Sequence, residues 1–306
     1  MIKNLPTVAK DILCKSYKYI FETGEIPQQW NSFNIIPILK PNKTPEDPLN
    51  YRPIALSSVI RKIYEKVITH RLHHYLEREN IWPKLQYGFR PGYSTYDNLS
   101  ITTVDILLAI LNNGYLEATF IDINRAFDSV DINILKQDLS KYNINGKILH
   151  SIMKLITDRQ ITIKYNQQIT KPRITSNGLP QGSSLSPILY IIYTKQLENE
   201  IIPCARILQF ADDIVIYKTH YEHIQDTHPL QESIEKCKNW LESRNLTINI
   251  NKTATIRFTR KKQQMFIPPL KIENNRIKQV NNRKFLGLNF DCRLNWKYHI
   301  KIFKLK

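Results

Sequence analysis

Two adjacent carboxylates, Asp212 and Asp213, stand between two apolar runs, Ile207-Leu208-Gln209-Phe210 and Ile214-Val215-Ile216-Tyr217. The runs have the length of paired β-strands, so Ala211-Asp212-Asp213 falls where the chain must turn. A tight hairpin normally takes Asn-Gly or Asp-Gly there. This turn has no glycine and carries two like charges. A local rule broken inside a buried hairpin points to function, and carboxylate oxygens are what a hard cation such as Mg²⁺ takes. An acidic tip bathed in water is the plainer alternative. A third acid, Asp122, lies near the end of Ala118-Thr119-Phe120-Ile121-Asp122-Ile123, which reads as a buried strand. A lone carboxylate there is costly unless it is paired or binds metal. Asp128 reads as a turn or cap residue. Antiparallel neighbours can bring Asp122, Asp212 and Asp213 together. Three carboxylates around two Mg²⁺ ions are the minimum for in-line phosphoryl transfer, one ion activating the attacking oxygen and the other holding the triphosphate and leaving group. Without ions the acids repel one another.

Other residues suit the same chemistry. Lys40, Lys43 and Arg52 surround the proline-rich loop Lys40-Pro41-Asn42-Lys43-Thr44-Pro45-Glu46-Asp47-Pro48. An arginine fork and lysine point charges suit phosphate, although a solvated loop would look alike. Gln86-Tyr87-Gly88-Phe89-Arg90-Pro91-Gly92-Tyr93 mixes aromatics, glycines and an arginine, a surface able to stack on bases and hold a backbone. In Asn177-Gly178-Leu179-Pro180-Gln181-Gly182-Ser183-Ser184-Leu185-Ser186-Pro187, glycines allow close backbone approach and Gln181 offers donor and acceptor. Ser186 is expected to cap the helix that follows, with Pro187 in its first turn. His70, His73 and His74, and the loop histidines His220, His223 and His228, read as surface or core-edge residues rather than metal ligands.

The elements that must position these residues follow from periodicity. Helices are expected over 5–21, 56–79, 94–112, from the Asp131 cap to Tyr142, over 148–159, after Ser186, and over 229–244. Strands are expected over 33–39, 118–123 and 254–258, with a β-ribbon over 161–174 carrying Lys164, Lys171 and Arg173 and a last hairpin over 284–290. Arg260, Lys261 and Lys262 form a basic knot after the 254–258 strand.

The 306 residues are 42% hydrophobic, enough for one large domain or a few fused subdomains. A net charge of +17 points to a polyanionic partner, nucleic acid first and a membrane surface second. No apolar run is long enough to span a bilayer, and no secretory signal pattern is present. Cys14, Cys204, Cys237 and Cys292 are scattered and read as reduced thiols of an intracellular protein.

Taken in order, several blocks resemble one family. They are Lys40-Pro41 with Tyr51-Arg52-Pro53-Ile54, Tyr87-Gly88-Phe89-Arg90, Asp122 with Ala126-Phe127-Asp128, and Gly178-Leu179-Pro180-Gln181-Gly182. Phe210-Ala211-Asp212-Asp213, Asn251-Lys252-Thr253 and Phe285-Leu286-Gly287 complete the series. The chain resembles the reverse transcriptase of a non-LTR retrotransposon of the jockey or LINE type. The resemblance implies an α+β right-hand polymerase fold, with fingers and an antiparallel palm sheet backed by helices. It divides the chain into fingers (1–117), palm (118–143 and 176–290), an insertion (144–175) and the start of a largely missing thumb (291–306). It makes Asp122, Asp212 and Asp213 ligands of two Mg²⁺ ions, for which Mn²⁺ could substitute, and Lys252 the acid that protonates pyrophosphate. Lys40 and Arg52 would contact the triphosphate, Gln181, Gly182 and Ala211 the incoming nucleotide, and Phe127 would gate its sugar. Tyr87, Gly88, Phe89 and Arg90 would face template or primer, and Phe285, Leu286 and Gly287 would form the primer grip. Implied partners are an RNA template, a DNA primer or target DNA, and dNTPs, with no membrane. Localisation in nucleus or cytoplasmic ribonucleoprotein is compatible with this. Such relatives carry an upstream endonuclease and a full thumb, so the alternative is a truncated, catalytically silent, nucleic-acid-binding remnant.

Overall fold

The structure is a computed structural model, and it describes residues 4–41, 43–202, 204–221, 228, 230–261 and 268–304. In chain order the elements are α1 (Thr7–Thr23), β1 (Ser32–Leu39), β2 (Tyr51–Leu56), α2 (Val59–Arg78), α3 (Thr95–Leu111) and β3 (Tyr115–Ile121). Then come α4 (Ile132–Lys141), α5 (Gly146–Ile156), β4 (Arg159–Tyr165), β5 (Gln168–Ile169), β6 (Arg173–Thr175), α6 (Ser186–Thr194) and α7 (Leu197–Ile201). The rest are β7 (Arg206–Phe210), β8 (Asp213–His220), α8 (Gln231–Ser243), β9 (Ala254–Phe258), β10 (Lys271–Ile272), β11 (Asn275–Arg276), β12 (Lys278–Gln279), β13 (Asn282–Phe285), β14 (Leu288–Asp291) and α9 (Lys297–Lys304). His223 and Lys262, and the start of the helix expected at 229, lie outside the described residues. Among the described residues, no helix is long and apolar enough to cross a membrane.

The chain forms two compact units, one of Met1–Trp82 with Phe127–Tyr193 and one of Pro83–Ala126 with Thr194–Lys306. In the first, β1 pairs antiparallel with β2 and parallel with β4, and β4 continues to β5 and β6. α1 stops where Gly24 takes φ +76, a left-handed value that glycine adopts at little cost, and its N–H donates to the Ile20 carbonyl. Asp131 caps α4 as the sequence implied, accepting from the N–H groups of Asn133 and Ile134. α5 ends earlier than periodicity suggests, because Arg159 already pairs with Thr175 and Gln160 with Ser32. Sheet pairing outweighs the local helical pattern there. Ser186 is the first residue of α6 and not its cap; its hydroxyl donates to the Pro180 carbonyl, so a contact within its own loop takes the group that a cap would use.

In the second unit, five strands run in the order β12-β9-β3-β8-β7. β3 is central, antiparallel to both β8 and β9, and all seven of its residues are buried. Leu116, Ala118 and Phe120 point into a core with Ile106 and Ile110 of α3, Val215 and Tyr217 of β8, and Phe285 and Phe290 of the β13–β14 hairpin. Each buried Leu, Ile, Val or Phe side chain among these contributes about 1.5–3 kcal/mol. α3 is fixed at its start by a capping box, in which Asp97 accepts from the Ser94 N–H and hydroxyl. The result is a rigid sheet whose β3 and β8 ends carry the acids.

Candidate active site

The second unit holds the carboxylates. β7 and β8 close at the pair Phe210↔Asp213, leaving Ala211 and Asp212 as a two-residue turn. Ala211 sits at φ +57, in the region normally left to glycine. On the neighbouring strand Ile121, the last residue of β3, pairs with Ile214, so Asp122 leaves β3 at the same sheet end where Asp213 begins β8. Asp212 and Asp213 are exposed, and the Asp122 side chain is 31% exposed. Although Asp213 as a residue is exposed, the protein around its carboxyl removes part of its solvation; that desolvation, then the negative charges of Asp212 and Asp122, push it up to about 6, while Arg283 pulls it down. The three acids therefore share one electrostatic environment.

The segment before β9 supports Asp122 from one side. Its N–H donates to Thr253 Oγ1 at 3.3 Å, and its carbonyl accepts from Asn249 N–H at 2.7 Å. Lys252 extends its ammonium to 3.5 Å from Asp122 Oδ2. Arg283 of β13 donates to the Lys252 carbonyl at 2.7 Å. Among the described residues no group of three or more His, Cys, Asp or Glu side chains is gathered tightly enough to ligate an ion as it stands. The donor set still fits hard divalent cations: three oxygen-bearing acids at one sheet end, one of them pushed towards protonation by desolvation and then by the other two.

The remaining sequence-proposed residues of this unit divide by burial. Tyr87 and Gly88 are buried beside the β7–β8 turn, and Tyr87 N–H donates to the Gln209 carbonyl at 2.9 Å. Phe89 is 51% exposed, and Arg90 lies over the Tyr93 ring at 4.3 Å. Phe285 is buried against Phe120, with ring centroids 5.0 Å apart. Leu286 and Gly287, at φ +45 and +88, make the β13–β14 turn. His228 Nε2 lies 3.3 Å from Glu117.

The first unit holds the other set. Lys40 Nζ donates to the Leu49 carbonyl at 2.8 Å, and Arg52 is exposed on β2 opposite Ile38. Phe127 stacks on Tyr190 with centroids 4.8 Å apart and planes 22° apart. Gln181 Nε2 donates to both Asp128 oxygens, at 3.2 and 3.3 Å, and its carbonyl accepts from Ala55 N–H. Gly182, at φ +111, passes so close to β2 that an added Cβ would meet the Ala55 carbonyl oxygen at 2.9 Å.

Sequence reasoning missed what holds this loop. Arg159 is buried and donates to the carbonyls of Asn177 and Gly178; burial, then the nearby Arg61, lower its guanidinium to about 10. Arg61 and Glu65 form a fully buried pair at 2.8 Å, and Ser183 donates to Glu65 at 2.9 Å. Their only sequence signal was an i,i+4 pair of opposite charges, which normally marks a solvated face. In the other unit Gln86, Thr253 and Arg283 were also missed as supports.

The family model for reverse transcriptase (RNA-dependent DNA polymerase) matches residues 38–290. The chain therefore belongs to the reverse transcriptase family. It is 31% identical, over 98% of its length, to a probable RNA-directed DNA polymerase from transposon BS of Drosophila melanogaster, and 27% identical to the RNA-directed DNA polymerase from the mobile element jockey of the same organism. It spans about a third of each relative, 34% and 33%. Apo telomerase from Candida tropicalis shares the fold, with a TM-score of 0.57 and 15% identity over 90% of this chain and 57% of that one. That likeness shows the right-hand polymerase fold, an α+β sheet backed by helices. Members of the family generally use divalent metal ions.

Proposed function

We propose that this chain extends a DNA primer on an RNA template by two-metal phosphoryl transfer from dNTPs. The observation that carries the reading is the convergence of Asp122, Asp212 and Asp213 at one end of adjacent strands β3 and β8. In a family that uses divalent ions, this is the place for two Mg²⁺ ions, and these would stabilise the attacking and leaving oxygens. The chain's own residues do the rest. Asp122, Asp212 and Asp213 hold the charge that attracts the ions. Lys252, an ammonium beside Asp122, supplies a proton to the departing pyrophosphate. Lys40 and Arg52 attract the triphosphate, and Gln181, Gly182 and Ala211 contact the nucleotide. Phe127, held by Tyr190, leaves no room for a ribose 2′-hydroxyl. Phe89 and Arg90 face the template, while Leu286 and Gly287 meet the primer. The net positive charge supports nucleic-acid binding throughout. Such a reaction belongs in the cell interior, in nucleus or ribonucleoprotein.

The test is incorporation of dNTPs on a primed RNA template with Mg²⁺ or Mn²⁺. Asp212→Asn keeps the shape and removes a ligand charge, and is expected to abolish synthesis. Equal synthesis by both proteins would remove this site as the catalyst. No synthesis by either, with nucleic-acid binding retained, would favour the silent-remnant reading.

A further inference from the structure

The acidic turn adopts a conformation that its sequence does not favour. A two-residue hairpin with a left-handed first residue usually has glycine there, and this one has Ala211 at φ +57. The local residue best placed to help does not: the Gln209 amide is buried with neither Oε1 nor Nε2 partnered. Help arrives from 125 residues upstream. Gln86 is fully buried, its Oε1 accepts from Ala211 N–H at 2.8 Å, and its Nε2 reaches the Ala211 carbonyl at 3.3 Å. Gln86 thus brackets the peptide groups on both sides of the strained residue. The same Oε1 accepts from Gly88 N–H at 2.8 Å, which ties the bracket to its own backbone. Two further bonds, Gln209 N–H to the Leu85 carbonyl and Tyr87 N–H to the Gln209 carbonyl, make residues 85–87 a short extension of the sheet beside β7. Gly88 completes the cradle. A Cβ there would stand 2.4 Å from Ala211 N, so no other residue type lets the segment come this close.

We propose that Gln86 is a positioning residue for the metal-binding acids: it fixes Ala211 in the left-handed conformation, and so sets where Asp212 and Asp213 present their carboxylates. The inference rests on the function proposed above. A turn held only by its own residues would relax towards the common conformations of alanine and swing Asp212 with it.

Four proteins test this: wild type, Gln86→Leu, Ala211→Gly and the double variant. Three readouts apply, namely amide hydrogen exchange over residues 207–215, Mn²⁺ binding by electron paramagnetic resonance with the metal alone, and kcat against KM for dNTP. Gln86→Leu is expected to speed exchange across the turn, weaken Mn²⁺ binding, and lower kcat on the order of a hundredfold with KM little changed, the size of effect that a misplaced catalytic group produces. Glycine at 211 needs no bracket, so the double variant should regain about tenfold in kcat over Gln86→Leu, once each is referred to its Gln86 parent. A merely structural glutamine would show no such rescue. The proposal is overturned by a folded Gln86→Leu protein with wild-type exchange and Mn²⁺ binding, or by a loss that Ala211→Gly leaves untouched. Should Gln86→Leu fail to fold, Gln86→Met, of similar length and lacking both polar groups, decides: faster exchange over residues 207–215 supports the bracket, and wild-type exchange there overturns it. Wild-type protein that neither binds Mn²⁺ nor makes DNA would sink the functional reading, while the exchange measurement would still judge the bracket.

Discussion

The crowding of three acids makes a stability prediction that needs no catalytic assay. Asp213→Asn should make the protein more stable in the absence of divalent ions. In the folded state the Asp213 carboxyl rises from an ordinary 3.8 to about 6, through burial and through Asp212 and Asp122. The direction fixes the sign. A carboxyl whose folded pKa exceeds its unfolded one holds its proton more tightly in the folded state. Its ionisation therefore costs stability, fully above about pH 6 and not at all below about pH 4. Each tenfold gain in proton affinity is worth about 1.4 kcal/mol, giving a ceiling near 3 kcal/mol; because Asp213 is solvent-exposed, screening reduces the expected gain to about 1 kcal/mol. For a chain of this size, that is a rise of about 2 °C in melting temperature.

The assay is thermal unfolding of wild type and Asp213→Asn in chelator, from pH 4.5 to 8. The quantity read is the difference between the two proteins, since other acids titrate in both. The difference should be largest at pH 7.5 and should shrink as pH falls through 6. Adding Mg²⁺ or Mn²⁺ should close it from the other side, because ions bound by the wild-type acids stabilise only the folded state. Refutation would be an Asp213→Asn protein no more stable than wild type at pH 7.5 in chelator, or a gain that persists unchanged at pH 4.5. Either result would mean that desolvation and the neighbouring acids together do not raise the Asp213 carboxyl.

Three further outcomes are expected. Phe127→Ala should raise the rNTP/dNTP incorporation ratio while synthesis with dNTP persists, and a ratio unchanged in a folded protein would remove Phe127 as the gate. Glu65→Leu strands Arg61 in the interior and should cost about 3–5 kcal/mol by urea unfolding, whereas Arg61→Leu with Glu65→Leu should recover much of it; a double variant as unstable as the single would contradict the pairing argument. Gly178→Ala meets both a left-handed φ of +69 and the Asp128 backbone at 2.5 Å, and should cost about 2 kcal/mol or more; a variant that melts with wild type would show that the loop can shift freely.

What could be read from the sequence, and what could not, follows the reach of each interaction. Asp212 and Asp213 were legible because they break a rule of adjacent residues, a tight turn with two charges and no glycine. Asp122 was legible because an acid near the end of an apolar run breaks another, and β3 ends beside the start of β8, one residue from Asp213. Helix caps such as Asp131 were legible for the same local reason, whereas Ser186 was misread because its hydroxyl answers to Pro180 instead. The supports were hidden because each is a polar contact across a long stretch of chain. Glu65 meets Ser183 118 residues away, and Gln86 meets Ala211 125 away. No periodicity encodes such a pairing, and Arg61 with Glu65 looks like any solvated helix pair until the fold removes the water. The two kinds of signal are nevertheless linked at Ala211. The missing glycine says that the turn is held by something outside itself, and a sequence can state that need without naming what meets it. A broken local rule therefore marks where chemistry sits, and it also predicts that a buried polar side chain from elsewhere in the chain must be waiting there.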